Sequence, residues 1–132
     1  MLPPDYRLRP MQEADYPAIA RICARVYPAD TPYTAAELAE HHRRFPEGQM
    51  VAEHVPTAAV AGVHFTLRLR FEDFHVDDPW DVLTDRGTFD DDDPSGRTLY
   101  GADIMVSPEH QHHSLAHALT DAARGAHRGR TG

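Results

Sequence analysis

The sequence contains no lysine, and its thirteen basic residues are all arginine. The absence of lysine excludes chemistry that needs a lysine amine, such as formation of a Schiff base. Cys23 is the only cysteine, which excludes a disulfide within the chain. Because Cys23 lies in the apolar helical pattern of residues 19–24, we interpret it as a small buried hydrophobic residue and not as a nucleophile.

Long hydrophobic runs are absent as well. No stretch approaches the roughly 18 consecutive apolar residues of a membrane-spanning helix. The first residues lack the basic start and the apolar core of a signal peptide, so we expect a cytoplasmic protein without membrane contacts. A hydrophobic fraction of 41% in 132 residues favours one globular domain over a disordered chain.

Positive charge is scarce where the acidic residues concentrate. The net charge is −8, and the ten carboxylates of residues 72–93 are accompanied by a single arginine, Arg86. This distribution excludes the basic footprint of a nucleic-acid-binding protein. Residues 72–97 show neither helical nor strand periodicity, and loops of this length are usually functional or disordered. Trp80 and Phe89 within this loop favour a segment that is anchored to the domain.

Hydrophobic periodicity and turn residues predict the secondary structure. Asp15 is the expected N-cap of the first helix, and Thr34 with Glu37 forms a capping-box pattern for the second helix. The predicted strands cover residues 6–10, 49–54, 58–71 and 98–106, and the third helix covers 115–124 after a cap at Ser114.

This order predicts one α/β domain over residues 1–132, with a mixed, mostly antiparallel sheet of about four strands and three helices. Within that domain we expect a long acidic loop over residues 72–97. The last residues, 125–132, show no pattern, and we expect a frayed tail there.

One segment carries the resemblance to a known family. The stretch from Met105 to Ala116 is MVSPEHQHHSLA. It resembles the acyl-CoA signature of GNAT-type N-acetyltransferases, in which a strand ending in Val-x-Pro leads through Gln/Arg-x-x-Gly-x-Gly/Ala into a helix. Residues 8–11, followed by Asp15 and Tyr16, also resemble the first strand and helix entry of this family. The resemblance implies a GNAT-like fold, with acetyl-CoA as the cosubstrate and an amine as the acceptor.

A closer resemblance covers almost the whole chain up to about Arg124. Residues 45–49, Trp80 with Asp81, and the strand 98–106 resemble GNAT domains that are fused ahead of a carbon–nitrogen hydrolase domain. Those domains also carry a long acidic loop before the CoA-binding strand. The hydrolase domain is not part of this sequence.

The resemblance also implies a site. The pyrophosphate of CoA would bind to exposed backbone N–H groups at the start of the last helix, because unpaired donors and the helix dipole attract an anion. The thioester would lie along the preceding strand. The implied CoA-binding residues are Ile104, Met105, Val106, Gln111, His112, His113, Ser114, Leu115 and Ala116. Ser114 stands where the family prefers glycine, so its side chain could crowd the phosphate or act as a helix N-cap.

Asp103 is the candidate catalytic residue. GNAT enzymes often place a carboxylate on this strand, where it would deprotonate the attacking amine. The alternative interpretation is a partly buried acid that is satisfied by neighbouring backbone groups. The acidic loop could attract a cationic amine through its field, or it could simply be a solvated loop.

A cluster of histidines precedes and enters the last helix, at positions 110, 112, 113 and 117. His113 and His117 have the i, i+4 spacing of a helical metal pair. The sequence contains neither a His-Glu-x-x-His pattern nor a nearby cysteine, so we predict no metal site. Protonated histidines could instead help to hold the phosphates of CoA.

The family continues with a further strand, a helix and a hairpin that this sequence does not contain. We therefore expect an incomplete fold in which the strand around Ile104 has an exposed edge, which a homodimer would cover. Three functional interpretations stay open at this point. The chain could be an acetyl-CoA-dependent N-acetyltransferase, an inert remnant kept as a binding or assembly module, or the product of a frameshifted gene. The sequence does not identify the acceptor amine.

Overall fold

The computed structural model describes residues 4–70, 72, 74, 78–84 and 89–131. Its four strands are β1 (Tyr6–Pro10), β2 (Gln49–His54), β3 (Ala59–Leu69) and β4 (Thr98–Val106). They form one sheet in the order β1-β2-β3-β4, and each adjacent pair is antiparallel. The predicted α/β architecture with about four strands is confirmed, and β4 forms one edge of the sheet in the described part of the chain.

The helices are α1 (Tyr16–Val26), α2 (Ala35–Arg44), α3 (Trp80–Leu83) and α4 (Leu115–Thr131). Three of them match the predicted helices, whereas α3 is a single turn inside the acidic loop, too short to produce a periodic pattern. Helix α4 also continues beyond the predicted end at Arg124. Residues 125–131 contain one alanine and two arginines, which favour helices, besides two glycines. This segment contains no proline that would stop the helix.

The two predicted caps have different outcomes. Thr34 Oγ1 accepts a hydrogen bond from the Glu37 backbone N–H at 3.1 Å, and Glu37 Oε1 accepts one from the Thr34 N–H at 2.9 Å, so the capping box is confirmed. The Asp15 side chain does not cap α1. Its carboxylate accepts from the backbone N–H of Gln12 at 2.8 Å and from both terminal nitrogens of Arg9 at 2.7 and 2.8 Å. A bidentate arginine pair is stronger than a neutral cap bond, which explains the difference.

The core lies on both faces of the sheet. On one face, α1 and α2 bury Ile19 and Leu38 against Phe65 of β3, and Cys23 belongs to the same cluster, as the sequence predicted. On the other face, α4 buries Leu119 against Ala61. At the end of β4, Met105 belongs to the first cluster, and its neighbours Ile104 and Val106 pack against the second.

The acidic loop is anchored to the sheet by a buried ion pair. Arg68 Nη2 lies 2.5 Å from Asp92 Oδ2, and the two side chains are 4% and 2% exposed. Asp92 Oδ1 also accepts from the Arg68 backbone N–H at 2.6 Å, and the guanidinium lies 4.0 Å above the ring of Phe45. Phe89 of the same loop is 1% exposed and stacks on His41 with a centroid distance of 3.8 Å. The predicted anchoring by Phe89 is therefore confirmed.

Replacing Asp92 with asparagine removes the charge that compensates a buried guanidinium. We expect the free energy of unfolding to fall by about 3 kcal/mol, because breaking one side of a buried pair leaves an uncompensated charge. Asp90→Asn is the matched control, since Asp90 pairs with Arg44 at 2.6 Å while 48% of its side chain is exposed. The control should cost less than about 1 kcal/mol in urea denaturation. Equal losses in the two variants would contradict the anchoring role.

Candidate active site

The site is built around an irregularity in β4. Phe65 of β3 pairs with Asp103 and Thr66 pairs with Gly101, so Ala102 is an extra residue between two regular pairs. Such a β-bulge bends the strand and changes the direction of neighbouring side chains. The Ala102 carbonyl accepts a hydrogen bond from Trp80 Nε1–H at 2.8 Å. Helix α3 is thereby attached to β4 beside Asp103, in agreement with the predicted anchoring role of Trp80.

Asp103 is held by two tyrosines. Tyr33 Oη–H donates to Asp103 Oδ2 at 3.0 Å, and Tyr27 Oη–H donates to Oδ1 at 3.3 Å. Tyr27 is the residue that ends α1, and Tyr33 directly precedes the cap of α2. Both carboxylate oxygens therefore have a phenol donor, and this pairing fixes the plane of the carboxylate. A backbone hydrogen bond from Ile104 also acts on this carboxylate, so the predicted alternative of a partly buried acid satisfied by neighbouring backbone groups stays open.

Burial sets the protonation behaviour of this group. It raises the pKa of the Asp103 carboxyl above its ordinary value, while the hydrogen bonds from Tyr33 and Tyr27 act in the opposite direction. Burial and the nearby Asp103 charge raise the pKa of both Tyr33 and Tyr27, so the two phenols keep their protons. The carboxylate is thus a stronger base than an exposed aspartate.

A cleft of about 520 Å³ opens beside Asp103. Three kinds of side chain line it, namely the aromatic rings of Tyr27, Tyr33 and Trp80, the carboxylates of Asp30, Glu37 and Asp103, and the small residues Cys23, Thr31 and Ala102. Its walls come from the end of α1, the α1–α2 loop, α2, α3 and β4. Sequence reasoning found Asp103 but missed the tyrosines, because they are far apart in the chain and follow no motif.

Directly after β4, the chain makes a 3₁₀ turn over Pro108–His113 and enters α4. Ser114 joins the two elements with φ 59° and ψ 26°, which is the left-handed region. Glycine adopts this conformation without steric cost, whereas a residue with a Cβ is strained by it. The glycine preference of the resembling family thus has a backbone reason at this position. The Ser114 carbonyl accepts from the Ala118 N–H at 3.3 Å, so Ser114 directly precedes the first turn of α4, and capping by its side chain stays a prediction.

The remaining predicted CoA-binding residues have different surroundings. Met105 and Leu115 are 1% exposed, so their side chains belong to the core, and only their backbone groups could meet a ligand. Ile104 and Val106 pack against the α4 layer.

The end of the turn is open to solvent. Gln111, Ser114 and Ala116 are exposed, and Gln111 Nε2 donates to the Val106 carbonyl at 3.2 Å. The side chains of His112 and His113 lie outside the described part of the structure.

The histidine cluster is only partly described. His110 Nδ1 lies 2.6 Å from Tyr6 Oη, and His117 Nε2 lies 3.3 Å from Asp121 Oδ2. Among the described residues, no group of three histidine, cysteine, aspartate or glutamate side chains is placed to hold a metal ion. None of the helices described is long and apolar enough to cross a membrane.

Comparison with known proteins gives two relatives in sequence. No protein-family model matches the chain. The chain is 27% identical over 117 residues to the protein named "Probable hydrolase YhcX" from Bacillus subtilis, a match that covers 89% of this chain and 22% of that protein. It is 33% identical over 85 residues to "Uncharacterized N-acetyltransferase YkwB" from the same organism, with coverages of 64% and 37%. The chain therefore spans well under half the length of either relative.

Among solved structures, the chain is similar to "GphF GNAT-like decarboxylase in complex with isobutyryl-CoA". The TM-score is 0.69 at 24% sequence identity, and the match covers 91% of this chain and 58% of that chain. At this level of identity, the likeness concerns the fold. The chain therefore has the GNAT-type acetyltransferase fold that the sequence predicted.

Proposed function

We propose that this domain is an acyl-CoA-dependent N-acyltransferase that transfers the acetyl group of acetyl-CoA to a primary amine. The observation that carries the proposal is the position of Asp103. Its carboxylate lies in the cleft, is held by two phenols, and is joined through β4 to the turn that begins α4. In this proposal, the base and the anion-binding turn belong to one continuous segment, residues 103–116.

Backbone groups at the start of α4 would bind the pyrophosphate of CoA. The first N–H groups of a helix have no partner within the helix, and the dipole of the 17-residue α4 adds positive potential there. Exposure of Gln111, Ser114 and Ala116 leaves this end of the helix accessible, which fits an anionic ligand. Residues 104–106 would accompany the remainder of the cosubstrate, with N–H groups of β4 polarising the thioester carbonyl.

The chemistry requires an amine that has lost a proton. Asp103 would accept this proton, directly or through a water molecule, and the amine nitrogen would then form a bond to the acetyl carbon. The carbon–sulfur bond breaks, the nitrogen releases its second proton to solvent as the amide forms, and the CoA thiolate leaves and takes up a proton from solvent. Tyr27 and Tyr33 are positioning residues in this scheme, because they orient the carboxylate and limit the rise of its pKa.

A second candidate function is an inert module that binds acyl-CoA, or assembles with a partner, without turnover. The strained backbone at Ser114 favours it, since the side chain lies where the family prefers glycine. The fold does not decide between these functions, because one similar structure is named a decarboxylase. The homodimer stays a prediction, in which a second copy covers the outer edge of β4, and light scattering at micromolar concentration tests it.

Ser114→Gly should improve both stability and acetyl-CoA binding. We expect the free energy of unfolding to rise by about 1 kcal/mol, because glycine removes the cost of the left-handed conformation. Isothermal titration should also show tighter acetyl-CoA binding, because the Cβ and hydroxyl no longer crowd the phosphate. Ala58→Gly is the matched control: Ala58 also has a positive φ of 58°, but lies in the β2–β3 turn. It should raise stability alone, and an unchanged affinity in Ser114→Gly would contradict the phosphate-binding role of the turn.

Asp103→Asn should lower kcat/KM by about a hundredfold or more if Asp103 is the base. Tyr33→Phe keeps the base but removes a hydrogen bond that lowers the Asp103 pKa. The base is active only when ionised, so activity falls as the pH drops through its pKa, and this acidic limb should move to higher pH in Tyr33→Phe. Thiol release followed across pH measures both effects. Wild-type rates in Asp103→Asn, or an unmoved limb in Tyr33→Phe, would remove Asp103 from the mechanism.

A further inference from the structure

Two aromatic side chains that line the cleft are exposed to solvent. Among the described residues, Tyr27 and Trp80 are two of the four large hydrophobic side chains that are exposed, at 38% and 37%. Both line the cleft beside Asp103. The hydrogen bond from Trp80 Nε1–H to the Ala102 carbonyl holds the indole ring in place. Exposed and immobilised aromatic faces in a concave site are typical of ligand contact.

The charges of the cleft are all of one sign. Its lining contains the carboxylates of Asp30, Glu37 and Asp103 and, within the described part of the chain, no arginine or histidine. Elsewhere, two carboxylates with little exposed side chain are paired with arginine, in the pairs Arg9–Asp15 and Arg68–Asp92.

Asp30 has no ion-pair partner among the described residues, and Glu37 uses one oxygen for the Thr34 cap. Within the described part of the chain, negative charge is therefore left uncompensated at this opening. That charge and the aromatic walls together favour an organic cation, because ring faces attract ammonium groups.

The three carboxylates lie at two levels. Asp103 is half-buried and is held by Tyr33 and Tyr27, whereas Asp30 and Glu37 are exposed at the rim. In the proposed function, on which this step rests, the accepting amine lies against Asp103. The single positive charge of that amine is paired with Asp103, so Asp30 and Glu37 still have no counter-charge. A second positive group on the same molecule would pair with them.

We infer that the cleft selects an amine with a second cationic group, of the aliphatic diamine class. An aliphatic chain fits between the aromatic walls, and its two ammonium groups meet the inner and the rim carboxylates. The same arrangement acts against amino acids, because their carboxylate would approach three negative side chains. Binding precedes any bond change, so this selectivity is separable from acetyl transfer.

The single tryptophan of the chain, Trp80, makes the test direct, since its fluorescence reports ligands in the cleft. We would titrate the protein at low ionic strength with diaminobutane, pentylamine and aminopentanoate, which are similar in length and differ in charge. Diaminobutane should bind about tenfold more tightly than pentylamine, and aminopentanoate should bind most weakly. The preference should shrink at high salt, because rim charges are screened.

Two charge variants assign the preference to the rim. The double variant Asp30→Asn with Glu37→Gln should bind diaminobutane and pentylamine with similar affinity, and glutamine at 37 preserves the capping box. The double variant Asp5→Asn with Glu13→Gln is the control of equal charge change, because both residues are exposed and lie outside the cleft lining. It should keep the wild-type preference.

Equal affinities for the two amines in the wild type, or no fluorescence response to any of them, would overturn the inference. The outcome is distinguishable from failure of the proposed function. A preference for diaminobutane without release of thiol from acetyl-CoA would support the cleft selectivity and contradict the proposed transferase activity. A protein that acetylates monoamines and diamines equally well keeps the transferase and loses the selectivity.

Discussion

The extra residue at Ala102 in β4 is the constraint on which the site depends. Without this bulge, β3 and β4 would pair regularly. The carbonyl of the extra residue, Ala102, accepts the hydrogen bond from the indole of Trp80. The bulge joins the acidic loop to the edge of the sheet and places Asp103 beneath the end of α1. Bulges next to active sites commonly redirect a side chain in this way. The cleft is thus a consequence of one local irregularity in an otherwise regular sheet.

Arginine is the only strongly basic residue type in this chain. In the part of the chain that the structure describes, it lies beside carboxylates around the sheet, but not beside those of the cleft lining. Around the sheet, Arg9 and Arg68 neutralise buried carboxylates and fix β1 and the acidic loop. In the cleft lining, no arginine lies among the described residues, and the carboxylates there stay available. An acidic chain can therefore be well paired where stability requires it and unpaired where a cationic ligand would bind.

Much of the fold could be predicted from sequence because local rules determined it. The capping box at Thr34 and the positions of the four strands follow from side-chain chemistry and periodicity, and both are found in the structure. Asp15 stands at the N-cap position of α1, as predicted, but its side chain makes no cap bond, because it pairs with Arg9 of β1. The predicted end of α4 was wrong, because helix propensity alone does not determine the last residue of a helix accurately.

The site was less accessible to sequence reasoning. Asp103 and the turn from Gln111 to Ala116 follow one another along the chain, so a motif could indicate them. Tyr27 and Tyr33 are 76 and 70 residues away from Asp103 in the sequence, and only the folded chain brings them together. Ser114 is an intermediate case, because the departure from glycine was visible while its left-handed backbone was not. Contacts between distant elements are the part of a site that a single sequence does not contain.

In the proposed function, the segment from β4 into α4 binds acyl-CoA next to the cleft. The most direct measurement is titration of the ¹⁵N-labelled protein with acetyl-CoA, following backbone amide signals by NMR. The account predicts saturable one-to-one binding, with the largest shifts in residues 104–116 and smaller shifts around Asp103 and Trp80. Absence of binding at millimolar acetyl-CoA, or shifts confined to other parts of the sheet, would contradict it.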